Sequence, residues 1–266
     1  MSPRTDSRPV AAVVSVAMEE EARPFLDALA RAEGAEEPLT LPGGARAWSL
    51  VLPGPGEPTA APGTAERGGG ELVLLRTGIG LVAAASALAT VLTHVRPEVV
   101  VSAGTTGGLG RQVEVGDVCA STSLALTDAD ATAFGYAPGQ TPGQPEVFES
   151  DAPLVERLRE VGAQALRAAT PTSSRARLHT GQMLAGNSFV TAANVADTRE
   201  RFPAALSTDM ESTALAQVCT ASGVPFIAVR GVSDLCGPEA GQDFHIGAAE
   251  AADRSAAVVL ALLAAS

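Results

Sequence analysis

Two acidic clusters hold the residue types best suited to chemistry in this chain: Thr208-Asp209-Met210-Glu211-Ser212 and Val229-Arg230-Gly231-Val232-Ser233-Asp234. Asp234 stands twenty-three positions after Glu211. Each cluster lies where an apolar segment gives way to polar residues, the place where a strand of an α/β protein delivers side chains to a binding crevice. A third carboxylate, Glu21, follows the apolar run 10–17. Taken singly, Glu211 reads as a first-turn acid on a helix and Asp234 as an N-cap or turn aspartate. Taken together, three carboxylates at one edge of a parallel sheet suit cleavage through an oxocarbenium-like transition state. One carboxyl protonates the leaving group, another activates water, and the third holds sugar hydroxyls. The donor must carry a proton, which burial favours by destabilising the charged form.

Other candidate residues carry weaker signals. The glycines of Gly104-Thr105-Thr106-Gly107-Gly108 fit a phosphate cradle, a sugar-binding turn or a plain tight turn after a strand. No Gly-Lys-Ser/Thr follows them, and Gly78-Ile79-Gly80 lacks the third glycine and the ribose acid of a dinucleotide fingerprint. Phe134 and Phe189 sit in Gly/Pro-rich and Gly/Ser-rich loops, where an aromatic can stack on a base instead of filling a core. His94, His179 and His245 are isolated from one another and show no metal spacing. Cys119 and Cys219 read as inert core thiols, and Cys236 stands close to Asp234 without an evident activator.

To bring positions 21, 211 and 234 together, strands must end at a common edge, and the apolar pattern supplies them. Residues 10–17 (VAAVVSVA) predict a buried strand feeding a helix whose positive end takes Glu19, Glu20 and Glu21, with Phe25, Leu26 and Leu29 on its core face. Residues 48–52 and 71–76 predict two further strands, joined by an exposed Pro/Gly-rich hairpin loop at 53–70. A helix is expected over 81–95, free of Gly and Pro and ended by Pro97, then a strand at 98–103 running into the glycine turn. Residues 113–125 return to the sheet, 128–145 are irregular, 152–168 form an amphipathic helix and 178–184 a strand. Met210, Ala214 and Val218 share one helical face, closed by Gly223 and Pro225. Residues 225–229 give the next strand and 245–263 the last helix. Alternating strands and helices indicate an α/β fold whose sheet is covered on both faces, in one domain over 10–266 behind a disordered tail at 1–9.

Composition narrows the partners. A chain of 266 residues with 46% apolar content can bury a large single core. A net charge of −12 argues against a nucleic-acid backbone and leaves an uncharged nucleoside open. Three cysteines are too few for a disulfide scaffold in a chain this long, which fits the reducing cytoplasm. No apolar run approaches the ~20 residues needed to span a membrane.

In order along the chain, Val16-Ala17-Met18-Glu19-Glu20-Glu21, Thr77-Gly78-Ile79-Gly80, Gly104-Thr105-Thr106-Gly107-Gly108-Leu109, Val115-Gly116-Asp117, Thr132-Ala133-Phe134-Gly135-Tyr136, Asp209-Met210-Glu211 and Val232-Ser233-Asp234 resemble the bacterial 5′-methylthioadenosine/S-adenosylhomocysteine nucleosidases of the nucleoside phosphorylase superfamily. The resemblance implies a three-layer αβα sandwich with a central twisted mixed sheet, acting as a homodimer without metal or cofactor. It implies hydrolysis of the N-glycosidic bond, with release of adenine and a 5-thio-substituted ribose. By position, Asp234 would protonate adenine N7 with help from Ser233, and Glu21 would activate water with Arg230 near it. Glu211 would bind the ribose hydroxyls and Met210 would pack on the sugar. Phe189 would stack on adenine, the Val190 backbone would read its edge, and Thr105 and Gly107 would line the floor. Phe244 would bound the 5′ side, and Phe134 with Pro142 would reach into the neighbouring subunit's pocket.

Three features depart from the pattern: Asn187 where an Asp is typical, Asp209 where a Glu is common, and the added loop at 53–70. Alternatives on the same scaffold are a nucleosidase for futalosine-type compounds, 5′-deoxyadenosine as a further substrate, a purine nucleoside phosphorylase, and a non-catalytic nucleoside-binding protein. A phosphorylase would need cations near the first strand-turn, where this chain has three glutamates.

Overall fold

Valine-rich β1 (Arg8–Val16) forms because β-branched side chains pack well on a pleated surface. It lies between β4 (Glu71–Arg76) and β5 (Val95–Gly108), parallel to both. The computed structural model describes residues 7–54, 70–237 and 240–265, with 240–246 in backbone only. Its remaining elements are α1 (Glu19–Ala28), β2 (Leu39–Thr40), β3 (Arg46–Val51), α2 (Leu81–Val91), β6 (Val118–Leu126), β7 (Phe148–Glu149) and α3 (Ala152–Ala169). Then follow β8 (Leu178–Ala185), α4 (Val195–Arg201), β9 (Ala205–Asp209), α5 (Ser212–Ser222), β10 (Phe226–Asp234) and α6 (Ala240–Ala264).

One mixed sheet joins all these strands. The antiparallel β3 and β4 form the expected hairpin and β2 adds an edge, while loop residues 55–69 lie outside the described range. On the other side, β5 is parallel to β10, β10 antiparallel to β6, and β6 parallel to β8, which is parallel to β9. Gly107 and Gly108 of β5 then pair with Thr208 and Ser207 of β9, so the strands β5, β10, β6, β8 and β9 close into a ring. Strand alternation divides the core. Ala12, Val14 and Val16 with Leu72 and Leu74 face α1, α3 and α6, whereas Val13, Val73 and Leu75 face α2 and α5.

Several boundaries differ from the sequence expectation for identifiable reasons. β1 begins at Arg8, so Arg8 and Pro9 belong to the sheet and not to a tail. The helix expected to reach residue 95 stops at Val91, where Thr90 and Thr93 hydroxyls turn back onto backbone carbonyls and Val95 and Pro97 enter β5 opposite Arg8 and Val10. The Gly104–Gly108 segment is not a turn. It continues β5 as extended strand because β10 on one side and β9 on the other both pair with it. β9 and α4 are short and weakly apolar, so the sequence pattern does not predict them. Met210 precedes α5 instead of sharing its buried face.

Candidate active site

The three carboxylates arrive at one cavity by three different devices. Glu21 is the third residue of α1, and its Oε2 accepts the N–H groups of Ala17 (2.8 Å) and Met18 (3.1 Å), reaching back over its own helix start as a capping-box acid does. Its Oε1 accepts from the Thr105 N–H (2.8 Å) and the Thr105 hydroxyl (2.9 Å) of β5. Gly104 makes that approach possible. Its φ of +123° suits glycine, and a Cβ there would fall on the Glu21 carboxylate.

Glu211 occupies the N-cap of α5 and is 3% exposed. Its Oε1 accepts the Gly80 N–H at 2.9 Å, from the turn before α2, and its Oε2 lies 3.3 Å from Arg230 Nη2. Burial pushes its pKa up to about 7; Arg230 opposes the shift, while Asp209 and Glu21 add to it.

Asp234 ends β10 beyond a register shift between Val232 and Asp234 that sets it opposite Gly107. A bulge re-aims a side chain in this way. Its Oδ1 accepts the Cys236 N–H (2.9 Å) and its Oδ2 the Ser233 hydroxyl (3.0 Å). A Cβ on Gly107 would stand 2.6 Å from Cys236 Sγ and 3.2 Å from Asp234 Oδ1, so this glycine lets the acid lie against the β5 backbone. Cys236 itself holds φ +56°, and burial pushes its thiol up to about 12, which removes it as a nucleophile at neutral pH. Cys119 and Cys219 are buried core thiols as expected.

Arg230 sits behind these groups, 1% exposed. Its Nη1 donates to the Thr105 carbonyl (2.9 Å) and its Nη2 to Ser102 Oγ (2.9 Å), while Nε lies 3.4 Å from Asp209 Oδ2. Burial disfavours its charge, yet Asp209, Glu211 and Glu21 outweigh that and hold its pKa above the ordinary value. One guanidinium among four carboxyl groups, those of Glu21, Asp209, Glu211 and Asp234, gives the site an acidic surplus, suited to a developing positive charge.

The cavity has a volume of about 150 Å³. Glu21, Thr105, Gly107, Phe189, Val190, Met210, Glu211, Arg230, Ser233 and Asp234 all line it, as the sequence reading grouped them. Phe134 and Pro142 are exposed and do not line it within one chain, and the Phe244 side chain lies outside the described residues. Ala17, Met18, Ile79, Ser188 and Thr208 also line the cavity and were not expected there from sequence. Ile79 carried a sequence signal, an apolar residue between two glycines, and the structure leaves it 58% exposed. Asn187 is turned away to a neighbouring loop, where its N–H and Nδ2 both donate to Asp128 Oδ2 at 2.9 Å. His179 bonds Asp117 Oδ2 at 2.8 Å, a structural tie between β8 and the start of β6.

Comparison with known proteins agrees with this geometry. The phosphorylase superfamily model matches residues 11–264. A 5′-methylthioadenosine/S-adenosylhomocysteine nucleosidase of Actinobacillus succinogenes is 38% identical over 200 residues, covering 75% of this chain and 83% of that protein. One from Geobacillus kaustophilus is 38% identical over 198 residues, covering 73% and 80%. Among solved structures, the Neisseria meningitidis nucleosidase bound to methylthio-immucillin-A superposes with a TM-score of 0.80 at 31% identity, covering 96% of this chain and 99% of that one. The Colwellia psychrerythraea enzyme bound to adenine gives 0.82 at 29% identity, covering 98% and 97%. The chain belongs to the phosphorylase superfamily and, within it, to the 5′-methylthioadenosine/S-adenosylhomocysteine nucleosidases.

Proposed function

We propose that this protein hydrolyses the N-glycosidic bond of 5′-methylthioadenosine and S-adenosylhomocysteine, releasing adenine and a 5-thio-substituted ribose. The observation that carries the choice of water over phosphate is the charge of the cavity. Arg230 is the only cationic residue among the described residues that line it, and Asp209, Glu211, Ser102 and the Thr105 carbonyl already engage its guanidinium. A phosphate would instead meet Glu21, and at about 4 Å and an effective dielectric of about 20 each like-charge contact costs about 4 kcal/mol. The family's substrates, named for the relatives at 38% identity, supply the nucleoside.

As the bond to the purine breaks, positive charge gathers on the sugar, and the surplus of carboxylates lining the cavity stabilises it. Asp234, held by Ser233 and the Cys236 N–H, delivers a proton to adenine N7 so that the base leaves neutral. Glu21 takes the proton of the attacking water. Of its four donors only the Thr105 hydroxyl can rotate, so that hydroxyl yields its place to the water. Ionised Glu211 accepts the ribose hydroxyls, Met210 packs on the sugar, and Phe189 stacks on the base while the Val190 backbone meets its edge. Phe244 bounds the 5′ group, and Phe134 with Pro142 from a second copy closes the pocket in a homodimer. Three free, buried cysteines fit a cytoplasmic enzyme of one domain.

The test is to incubate the protein with methylthioadenosine, adenosylhomocysteine, 5′-deoxyadenosine and futalosine, with and without phosphate, and to identify the sugar released. A free thio-ribose formed at the same rate without phosphate is expected; a ribose-1-phosphate product would overturn the reading. Asp234→Asn should lower kcat by about 10²–10⁴-fold while nucleoside binding persists.

A further inference from the structure

Asp209, 8% exposed, uses its two oxygens differently. Oδ1 accepts the N–H groups of Glu211 (2.8 Å) and Ser212 (2.7 Å), which are otherwise orphan donors at the start of α5. Oδ2 makes an ion pair with Arg230 Nε at 3.4 Å, without hydrogen-bond geometry because that N–H is directed at Ser102 Oγ (3.3 Å). The same guanidinium faces Glu211 Oε2 through Nη2. One carboxylate therefore reaches Glu211 twice, through the backbone that carries it and through the cation opposite it. A neutral acceptor such as Ser would serve the backbone contacts. Only the contact to Arg230 calls for charge.

We propose that Asp209 is a positioning residue for the sugar-binding carboxylate of Glu211, setting its backbone by capping α5 and its charge by sharing Arg230. This rests on the assignment of Glu211 to the ribose hydroxyls. The groups facing Glu211 are Arg230 from β10, Asp209 from β9, Glu21 from α1 and the Gly80 N–H from the turn before α2. Burial and the two acids raise the pKa of Glu211 against the pull of Arg230. Neutralising Asp209 removes one repulsion and leaves Arg230 to Glu211, so Glu211 ionises at lower pH. A protonated Glu211 accepts less well from sugar hydroxyls, so KM rises as pH falls through its pKa.

The experiment measures kcat and KM for methylthioadenosine from about pH 5 to 9 in the wild type and in Asp209→Asn, Asp209→Ser and Asp209→Glu. The same profiles are taken with the 2′-deoxy analogue, and melting temperatures are recorded for each variant. The expected result is a wild-type KM that titrates near neutrality, a midpoint lowered by about one pH unit in the Asn and Ser variants, an unmoved midpoint in Asp209→Glu, and a much weaker titration with the deoxy analogue. Ser keeps a helix cap, so the neutral variant remains available should Asn fold poorly. If Asn and Ser lower the melting temperature but leave the midpoint in place, Asp209 is a cap only and the proposal is overturned. If the wild-type KM does not titrate, or the deoxy analogue titrates equally, the assignment of Glu211 fails and the proposal fails with it.

Discussion

At the scale of single residues, the energetics centre on a carboxylate kept in an unfavourable place. Glu211 has an ordinary value of 4.5 and a folded value of about 7, raised first by burial. Between those values the folded state binds more protons than the unfolded chain, so the group's contribution is fully present below 4.5 and is lost as pH rises through 7. At 1.36 kcal/mol per unit the loss is about 3 kcal/mol. Glu211→Gln keeps an acceptor for the Gly80 N–H and cannot ionise. Its stability in urea, relative to wild type, should therefore rise by about 2.5 kcal/mol between pH 5 and pH 8.5, with activity reduced. A relative stability that stays flat over that range would mean that Arg230 fully compensates the charge. The acids themselves were legible in the sequence because their type and position at strand ends announced them. Their supports were not, since Gly80 reaches Glu211 across 131 residues through a backbone N–H that any residue carries, and Gly104 matters for the side chain it lacks.

At the scale of elements, the site depends on how closely α6 lies on β10, the strand that carries Arg230, Ser233 and Asp234. Gly231 faces α6, and a Cβ there would run into the backbone carbonyl of Ala251. Backbone cannot swing aside as a flexible side chain does, so Gly231→Ala must push the helix off the strand. Overpacking of this kind costs about 1–3 kcal/mol and more where nothing can relax, so a loss of about 3 kcal/mol is expected in urea unfolding, with kcat falling because residues 230, 233 and 234 move together. A variant with wild-type stability and kcat would show that this contact is soft. Sequence periodicity found β10 and α6 from their apolar residues, and Gly231 offered no periodic signal. The same limit explains the glycine run of β5, whose composition reads as a turn. Its pairing with β9 and β10 holds it extended, and no local pattern reveals those partners.

At the scale of the whole molecule, the α/β class and the single site followed from alternating elements, while the closure of five strands into a ring did not, because it rests on two residue pairs between β5 and β9. What remains at this scale is the face that a second copy would cover. Phe134 is 83% exposed at the end of a short 3₁₀ turn, Thr132–Phe134. That turn is built to present it: Asp130 Oδ1 accepts both the N–H and the hydroxyl of Thr132 (3.0 and 2.7 Å), and Gly135 closes the turn in the left-handed conformation. An ordered loop that lifts a Phe into solvent gains nothing within one chain, whereas burying that ring in a partner gains about 2–3 kcal/mol. Ile79 and Phe189, 58% and 44% exposed, leave apolar surface at the cavity for such a ring to meet. Wild-type protein is therefore expected to sediment at twice the 26.8 kDa of one chain. Phe134→Asp should preserve the far-ultraviolet circular dichroism, weaken the proposed dimer by about 2 kcal/mol or more, and, with the ring reaching the neighbouring pocket as proposed, raise KM more than it lowers kcat, because the carboxylates stay in place. Dilution separates the two effects: if KM rises only when the variant dissociates, the ring acts by holding the dimer, and if KM stays raised at concentrations where the variant is dimeric, the ring itself meets the nucleoside. A monomeric wild type with full activity would remove the second copy from the site altogether.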